Sequence, residues 1–228
     1  MWKKRKRLII LGAVAVALAG GLLVVYGRSE ETRLIDQLNS GDANERVEAV
    51  EGLKELGTAK AADAVAGAAR ATDRRLASHA VRALGRFGRT EDLELVKQAS
   101  RSDDERVREA AAVAMGGFGA RADVQVLIGS LGNAAEKPRV RAAAAVSLGR
   151  LDDYSAMPVL IESLEDDDPV VRGRAYAAIR RILRLDVGFH ARAPVAERRA
   201  KIARIKELAK NLQRRHADYK RRMKERER

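Results

Sequence analysis

The chain has 228 residues, no cysteine and a formal net charge of +13 at pH 7. A sequence without cysteine excludes disulfides, thiolate nucleophiles, zinc–thiolate sites and a lipidated N-terminal cysteine. The excess positive charge lies at the two ends, whereas the stretch between residues 27 and 185 is close to neutral. This neutral stretch argues against nucleic-acid wrapping by that part of the chain, because neutralising phosphates needs a basic face.

The first feature along the chain is an uncharged, apolar run at residues 8–26, preceded by five consecutive basic residues. A helix of this length would cross the roughly 30 Å hydrocarbon core of a bilayer. The run therefore predicts a single-pass membrane anchor in a segment 1–27, and the basic flank predicts a cytoplasmic N-terminus with the remainder on the periplasmic side. The residues expected to form the anchor are Leu8, Ile9, Ile10, Leu11, Leu22, Leu23, Val24 and Val25.

A cleaved secretory signal is the alternative interpretation of the same run. Ala17-Leu18-Ala19 has the small-x-small form that signal peptidases accept. The apolar run continues past that point to Val25, which favours an uncleaved anchor. Both interpretations place the rest of the chain outside the cytoplasm.

A repeated pattern, Val-Arg-x-Ala-Ala-x-x-Leu, dominates residues 28–188. It ends at an apolar residue five times, at intervals of 31, 31, 33 and 31 residues. The closing residues are Leu53, Leu84, Met115, Leu148 and Ile179. A fixed period of this size is typical of stacked helical hairpins.

Each repeat divides into two helices joined by a turn. A shorter apolar-periodic stretch precedes every Ala-rich stretch, and two helices of ordinary length plus turns account for about 31 residues. Gly57, Gly88 and Gly119 follow three of the Ala-rich stretches, where a left-handed residue ends a helix. No stretch alternates with the period of two that marks a half-buried strand. The sequence therefore predicts an all-α solenoid of about five hairpins.

These repeats resemble the HEAT-repeat family, in the short bacterial form named after phycobilisome lyases. The resemblance covers about residues 33–185, and an Asp followed four residues later by an Arg is characteristic of such repeats. It implies that the Asp caps the second helix and pairs with the Arg on its first turn. The pairs are Asp42 with Arg46, Asp104 with Arg108, and Asp168 with Arg172. Repeat two has Ala77 for the Arg and repeat four has Lys137 for the Asp, so both are expected to be less firmly tied.

The last segment, residues 189–228, is predicted to be a long basic helix. Pro194 is suited to a first helical position, and residues 195–228 contain neither glycine nor proline. Its apolar residues up to Leu212 have helical spacing and are expected to cover the end of the last repeat. A coiled-coil dimer through the same residues is the alternative.

Residues suited to catalysis or metal binding are scattered. The three histidines lack a neighbouring acid, and the acidic runs 103–105 and 165–168 fall in turns where Asp caps helices. The resemblance includes lyases and hydroxylases, but the motifs that would carry such chemistry are missing from this sequence. The chain is therefore predicted to be a non-enzyme without a cofactor, metal or small-molecule substrate.

The predicted function is a protein-interaction scaffold, because helical stacks offer extended surfaces for partners. Five arginines fall on second helices outside the packing positions and are expected to contact an acidic partner protein. They are Arg75, Arg82, Arg86, Arg150 and Arg181. Two alternatives are a lyase-like or enzyme-accessory subunit, and cytoplasmic repeats whose basic tail binds RNA or anionic lipid.

Overall fold

The computed structural model describes residues 16–18, 21–23, 29–119 and 122–226. From residue 30 onward the chain forms five antiparallel helical pairs stacked in sequence order, followed by one long helix. The first helices are α1 (Glu30–Ser40), α3 (Ala59–Ala68), α5 (Leu93–Ala99), α7 (Val124–Gly132) and α9 (Met157–Glu162). The second helices are α2 (Ala43–Leu56), α4 (Arg74–Phe87), α6 (Glu105–Met115), α8 (Pro138–Leu151) and α10 (Pro169–Leu183), and α11 is Val195–Arg226. The predicted α-solenoid is confirmed.

The predicted membrane anchor is not supported. The described residues of the apolar run form two antiparallel strands, β1 (Val16–Leu18) and β2 (Gly21–Leu23), in which Val16 pairs with Leu23. Among the described residues no helix is long and apolar enough to cross a membrane. The predicted single-pass localisation is therefore wrong. A physical reason lies in the sequence: Gly20-Gly21 is a turn signal between two short apolar runs, which favours a hairpin over one continuous helix.

The predicted anchor residues divide between these strands and the part of the chain that is not described. Leu22 and Leu23 lie in β2. The other six anchor residues lie outside the described residues. They are Leu8, Ile9, Ile10, Leu11, Val24 and Val25.

Most of the predicted signals at the ends of the second helices are confirmed. The carboxylates of Asp42, Asp104 and Asp168 accept hydrogen bonds from the first backbone N–H groups of α2, α6 and α10. Gly57 and Gly88 follow α2 and α4 with φ of 68° and 61°, a left-handed conformation that glycine adopts without steric cost. Gly119 does not end a helix as predicted, because α6 already ends at Met115.

Consecutive second helices approach each other at glycine. A Cβ placed on Gly85 of α4 would lie 2.5 Å from Cα of Ala114 in α6, and one on Gly149 would lie 2.8 Å from Cα of Ala178. First helices of neighbouring repeats contact each other less than second helices do. The second helices therefore form the inner, more tightly packed layer of the stack.

The last repeat is covered by the segment between α10 and α11. The Tyr176 hydroxyl accepts hydrogen bonds from the N–H groups of Val187 at 2.9 Å and Gly188 at 3.0 Å, and it donates to Asp186. Phe189 is buried against the Tyr176 ring with centroids 5.2 Å apart. Earlier repeats have Val or Ala at the position of Tyr176 in α10. The side chain at this position is therefore largest in the last repeat, where no further second helix follows.

Helix α11 lies beside α9 and occupies the place of a sixth first helix. Ile202, Ile205 and Ala209 are buried, whereas Lys210 and Asn211 are exposed. The Tyr154 hydroxyl, in the turn just before α9, donates to the carbonyl of Ala209 in α11. The helix then continues to Arg226, roughly 25 Å beyond that contact at 1.5 Å per residue.

The close approach at Gly85 gives a first prediction. We expect Gly85→Ala to lower the free energy of unfolding by about 1–3 kcal/mol, because overpacking outweighs a helix-propensity gain of about 1 kcal/mol. Gly67→Ala in α3 is the matched control, since no heavy atom lies within 4 Å of its added Cβ. Urea unfolding measures both. Equal stabilisation by the two substitutions would contradict the packing constraint.

The contact between Tyr176 and Asp186 gives a pH prediction. The Tyr176 hydroxyl, the Gly188 N–H and the Arg180 guanidinium hold the pKa of Asp186 at about 2, below its usual 3.8. This contribution to stability is therefore present above pH 3.8 and is lost as the pH falls through about 2. Tyr176→Phe should raise the pKa of Asp186 in a carboxyl NMR titration. An unchanged titration would show that the hydroxyl does not set it.

Candidate protein-binding surface

One face of the second helices points away from the first helices. Residues 11 apart on an α-helix differ by three turns and about 20°, so they share a face. Arg75 and Arg86 have this spacing on α4, as do Arg139 and Arg150 on α8. The closing residues Leu84 and Leu148 lie on the opposite, buried side of the same helices. This inner face of the solenoid therefore carries arginines near both ends of its helices.

The arginines near the starts of the second helices form what we name the N-terminal arginine row. Its members are Arg75, Arg106 and Arg139, which occupy equivalent positions in repeats two, three and four and are all exposed. Arg75 donates to the Asn44 side chain at 2.8 Å, and Arg139 lies 3.5 Å from Glu105 and also contacts Glu109. Neighbouring repeats are thus aligned across this face.

The arginines in the last turns of second helices form the C-terminal arginine row. Its members are Arg86, Arg150 and Arg181, on α4, α8 and α10. All three are exposed, and their side chains make no hydrogen bond or ion pair with another described residue. The helix dipole favours a cation at this end, typically by 0.3–1 kcal/mol. That term stabilises each helix but leaves the guanidinium donors available.

Between the rows lies an apolar floor. Val113, Ala143 and Val146 are half-buried, and Ala177 is exposed. The floor belongs to repeats three to five. A side chain resting on it meets methyl groups, with guanidinium groups on both sides.

The inner face of repeat one is acidic. Its exposed or half-buried residues on α2 include Glu48, Glu51 and Glu55. Burial tends to raise the pKa of Glu51, but hydrogen bonds from His79 and Lys54 outweigh it and the pKa is lowered. His79 lies 3.0 Å from Glu51 and joins repeats one and two. The inner face therefore changes sign from acidic in repeat one to basic beyond it.

The five arginines predicted from the sequence all lie on this inner face, but not in one group. Arg75 belongs to the N-terminal row and Arg82 lies between the rows, 3.8 Å from Glu109. The other three make up the C-terminal row. Sequence reasoning missed Arg106 and Arg139; both occupy the repeat position of Arg75, so an alignment of the repeats would have found them. The exposed Arg174 of α10 was also missed.

A different set of arginines is structural. Arg108 donates to the carbonyls of Ser102 at 2.8 Å and Asp103 at 2.9 Å in its own repeat, and to Glu136 of the next repeat at 2.7 Å. This hydrogen bond from Arg108 lowers the pKa of Glu136. Each such arginine thus holds its own turn and reaches to the next one.

Arg141 and Arg172 repeat this arrangement further along the stack. Arg141 is buried and pairs with Asp166 through two hydrogen bonds of 2.9 and 3.0 Å. Arg172 is also buried and donates to the carbonyls of Asp167 and Ala191. Both guanidinium groups are thus directed into the stack and not toward a partner.

The predicted pairing of Asp with Arg inside one repeat is therefore wrong. The carboxylate of Asp104 is occupied by the N–H groups of Arg106 and Val107, so Arg108 pairs with the following repeat instead. Repeat four was expected to be loosely tied, yet Arg141 makes the two-bond pair with Asp166 described above.

Repeat two has Ala77 at the position that Arg108 and Arg141 occupy in their repeats, so it lacks the arginine that reaches from one repeat to the next. The connection is made instead by Arg89, which lies 2.7 Å from Asp63 of repeat two and 2.7 Å from Asp92 at the start of repeat three. These two carboxylates raise the pKa of Arg89, so its charge is permanent. Repeat two is thus tied to repeat three at the opposite edge of the stack.

The acidic side chains in the turns before α6 and α10 also have structural roles. Asp104 and Asp168 cap helices, Asp166 receives Arg141, and Asp103 lies 3.1 Å from Arg74. Within the described ranges no three His, Asp or Glu side chains are grouped as metal ligands. A cavity of about 570 Å³ lies in the outer layer beside α9 and is lined in part by the paired Arg141 and Asp166. The inner face is therefore the candidate functional surface.

The fold and this surface define a class: an α-solenoid of helical hairpins whose second helices present an extended face. The family profile described as HEAT repeats matches residues 31–116 and again residues 93–180. The chain belongs to the HEAT-repeat family. None of the curated proteins compared with the chain matches it significantly.

Solved structures of similar fold come from nature and from design. The complex of CpcE and CpcF of phycocyanin lyase from a Nostoc species is 21% identical, with a TM-score of 0.56 over 75% of this chain and 71% of that chain. A designed armadillo repeat protein in complex with the peptide (KR)4 is 17% identical, with a TM-score of 0.52 over 79% and 89%. At such identities the likeness extends to the fold alone.

The distinction between structural and free arginines can be tested on α8. Arg141→Ala should lower the free energy of unfolding by about 3–5 kcal/mol, because it leaves Asp166 partly buried without its cation. Arg150→Ala, nine residues later on the same helix and exposed without a partner among the described residues, should cost less than about 1 kcal/mol. Thermal unfolding monitored by circular dichroism compares them. Similar losses for the two variants would contradict the distinction.

Proposed function

We propose that this HEAT-repeat chain is a non-catalytic scaffold that binds an acidic surface of a partner protein on its inner face. A repeat solenoid offers an extended surface that is large relative to its core, which suits contact with macromolecules. The exposed arginines Arg75, Arg82, Arg86, Arg150 and Arg181 are the proposed contact residues. A partner surface rich in carboxylates would complement their positive charge.

The observation that carries the proposal is the C-terminal arginine row. Its three guanidinium groups are exposed, have no partner among the described residues and stand on the rigid ends of long helices. Guanidinium pairs with carboxylate through two parallel hydrogen bonds, which gives direction as well as attraction. Helix dipoles alone would stabilise basic groups anywhere in a last turn, whereas these occupy the same position in three repeats.

A protein partner fits the inner face better than a nucleic acid does. The floor between the arginine rows consists of Val and Ala, which pack against apolar side chains. The glutamates of repeat one would repel a continuous polyphosphate backbone. A protein surface can place carboxylates beside the arginines and leave repeat one uncontacted.

A site-specific photocrosslinking experiment tests this function. A photoreactive amino acid at position 146 of the full chain should crosslink a partner in cell extract, and mass spectrometry would then identify it. Arg82→Glu with Arg86→Glu should reduce the crosslinked product about tenfold or more, because two contacts change from attractive to repulsive. High salt should have the same effect.

The matched control reverses two charges in the outer layer. Lys60 lies on α3 and Arg70 lies two residues after the end of that helix, and both are exposed. Lys60→Glu with Arg70→Glu should leave crosslinking unchanged at equal protein yield. Loss of the product in the control, or its retention in the inner-face variant, would contradict the proposed surface.

A further inference from the structure

We propose that the inner face of repeats three to five is a groove for one kind of partner segment: an amphipathic α-helix with acidic flanks. This inference rests on the proposed function and specifies the partner's shape. The groove is bounded by Arg106 and Arg139 on one side and by Arg150 and Arg181 on the other. Its floor is Val113, Ala143, Val146 and Ala177.

The width of the groove favours a helix. The two arginine rows are 11 residues apart on their helices, which is about 16 Å along the helix axis. A helix with its side chains is about 10–12 Å across and fits between the rows, with arginine side chains reaching it from both sides. An extended strand directs successive side chains to opposite faces, so apolar residues on the floor would leave its acidic residues pointing away from both rows.

The floor requires an apolar stripe on the occupant. Val113 and Val146 are half-buried on adjacent second helices, and the one charged residue between Arg139 and Arg150 on α8, Arg141, is buried in its pair with Asp166 and does not reach the floor. Such a floor would desolvate carboxylates without pairing them, which is unfavourable. A helix with apolar residues spaced by three and four covers the floor and directs acidic residues outward to the rows.

Existing charges set the limits of the groove. The single acid within it, Glu109, is neutralised by contacts with Arg82 and Arg139. Glu48, Glu51 and Glu55 on repeat one would repel an acidic helix, so the groove ends before that repeat. Three repeats at the usual helix spacing of 8–10 Å span roughly 20–30 Å, enough for about 18 helical residues.

Three synthetic peptides of equal length distinguish a helix from other acidic segments. The first carries a leucine stripe at helical spacing between flanks of glutamate. The second has the same composition in an order that distributes the leucines around the helix, and the third is poly-glutamate. Fluorescence anisotropy with the full chain should give binding of the striped peptide at least about tenfold tighter than of the other two. Circular dichroism should show its helix content rising on binding.

Variants locate the binding. Val146→Glu, Arg139→Glu and Arg150→Glu should each weaken binding of the striped peptide about tenfold, whereas Lys60→Glu with Arg70→Glu should not change it. Unfolding curves identify any variant that loses its structure, and Val146→Ala, which shortens the floor without adding charge, should then show a smaller loss. A variant-sensitive preference for the striped peptide supports the inference.

Other outcomes overturn it, and they separate it from the proposed function. Equal binding of all three peptides, abolished by Arg150→Glu, would leave an acidic-partner surface but exclude the helix. No binding of any peptide, together with crosslinking that still depends on Arg82 and Arg86, would exclude the groove alone. Self-association of the chain that Val146→Glu disrupts would assign the groove to a second copy and also exclude the acidic helix.

Discussion

The close approach of consecutive second helices determines the rest of the structure. At Gly85 and Gly149 one helix passes so near the next that no side chain fits between them. Glycine costs an isolated helix about 1 kcal/mol relative to alanine, so its presence in the last turns of α4 and α8 needs a packing reason. That reason is the inner layer, in which tight spacing brings equivalent residues of neighbouring repeats into register. The arginine rows exist because this register is kept over several repeats.

The arginines of the second helices perform two separate tasks. Those at the fourth helical position, such as Arg108 and Arg141, point back over the turn and bind carbonyls and acids of the next repeat. Those of the C-terminal arginine row, such as Arg150, have no hydrogen-bond or ion-pair partner among the described residues. Two residues of spacing on α8 separate the buried Arg141 from the exposed Arg139. Rotation around the helix thus decides which task an arginine has.

Much of the fold could be predicted because it depends on local, repeated signals. Asp104 and Gly88 delimit helices through hydrogen bonds and backbone geometry within a few residues. The partner of Arg108 could not be predicted in this way, since Glu136 is 28 residues away and belongs to another repeat. Spacing of four suggested Asp104 instead, but that carboxylate was already engaged as a cap. The anchor prediction for the apolar run near the N-terminus failed for a related reason: it used hydropathy and ignored the turn signal Gly20-Gly21.

The candidate surface was only partly predictable. Arg86, Arg150 and Arg181 were identified because they fall outside packing positions, and the structure exposes them. Arg106 was missed because the arginines were judged one by one. The apolar floor could not be predicted from the sequence. Val113 and Val146 have the pattern of core residues, and only the orientation of their helices shows that they lie on the inner face.

The glycine that follows the closing residue is confined to the interior of the array. Gly85, Gly116 and Gly149 mark repeats two to four, whereas Lys54 and Arg180 stand at this position in the outermost repeats. The second helix of an interior repeat can therefore pack closely against second helices on both sides, whereas that of an outermost repeat has such a neighbour on one side only. Duplication of repeat two or repeat four would lengthen the array without disturbing its ends, and it would extend both lines of guanidinium groups by one step.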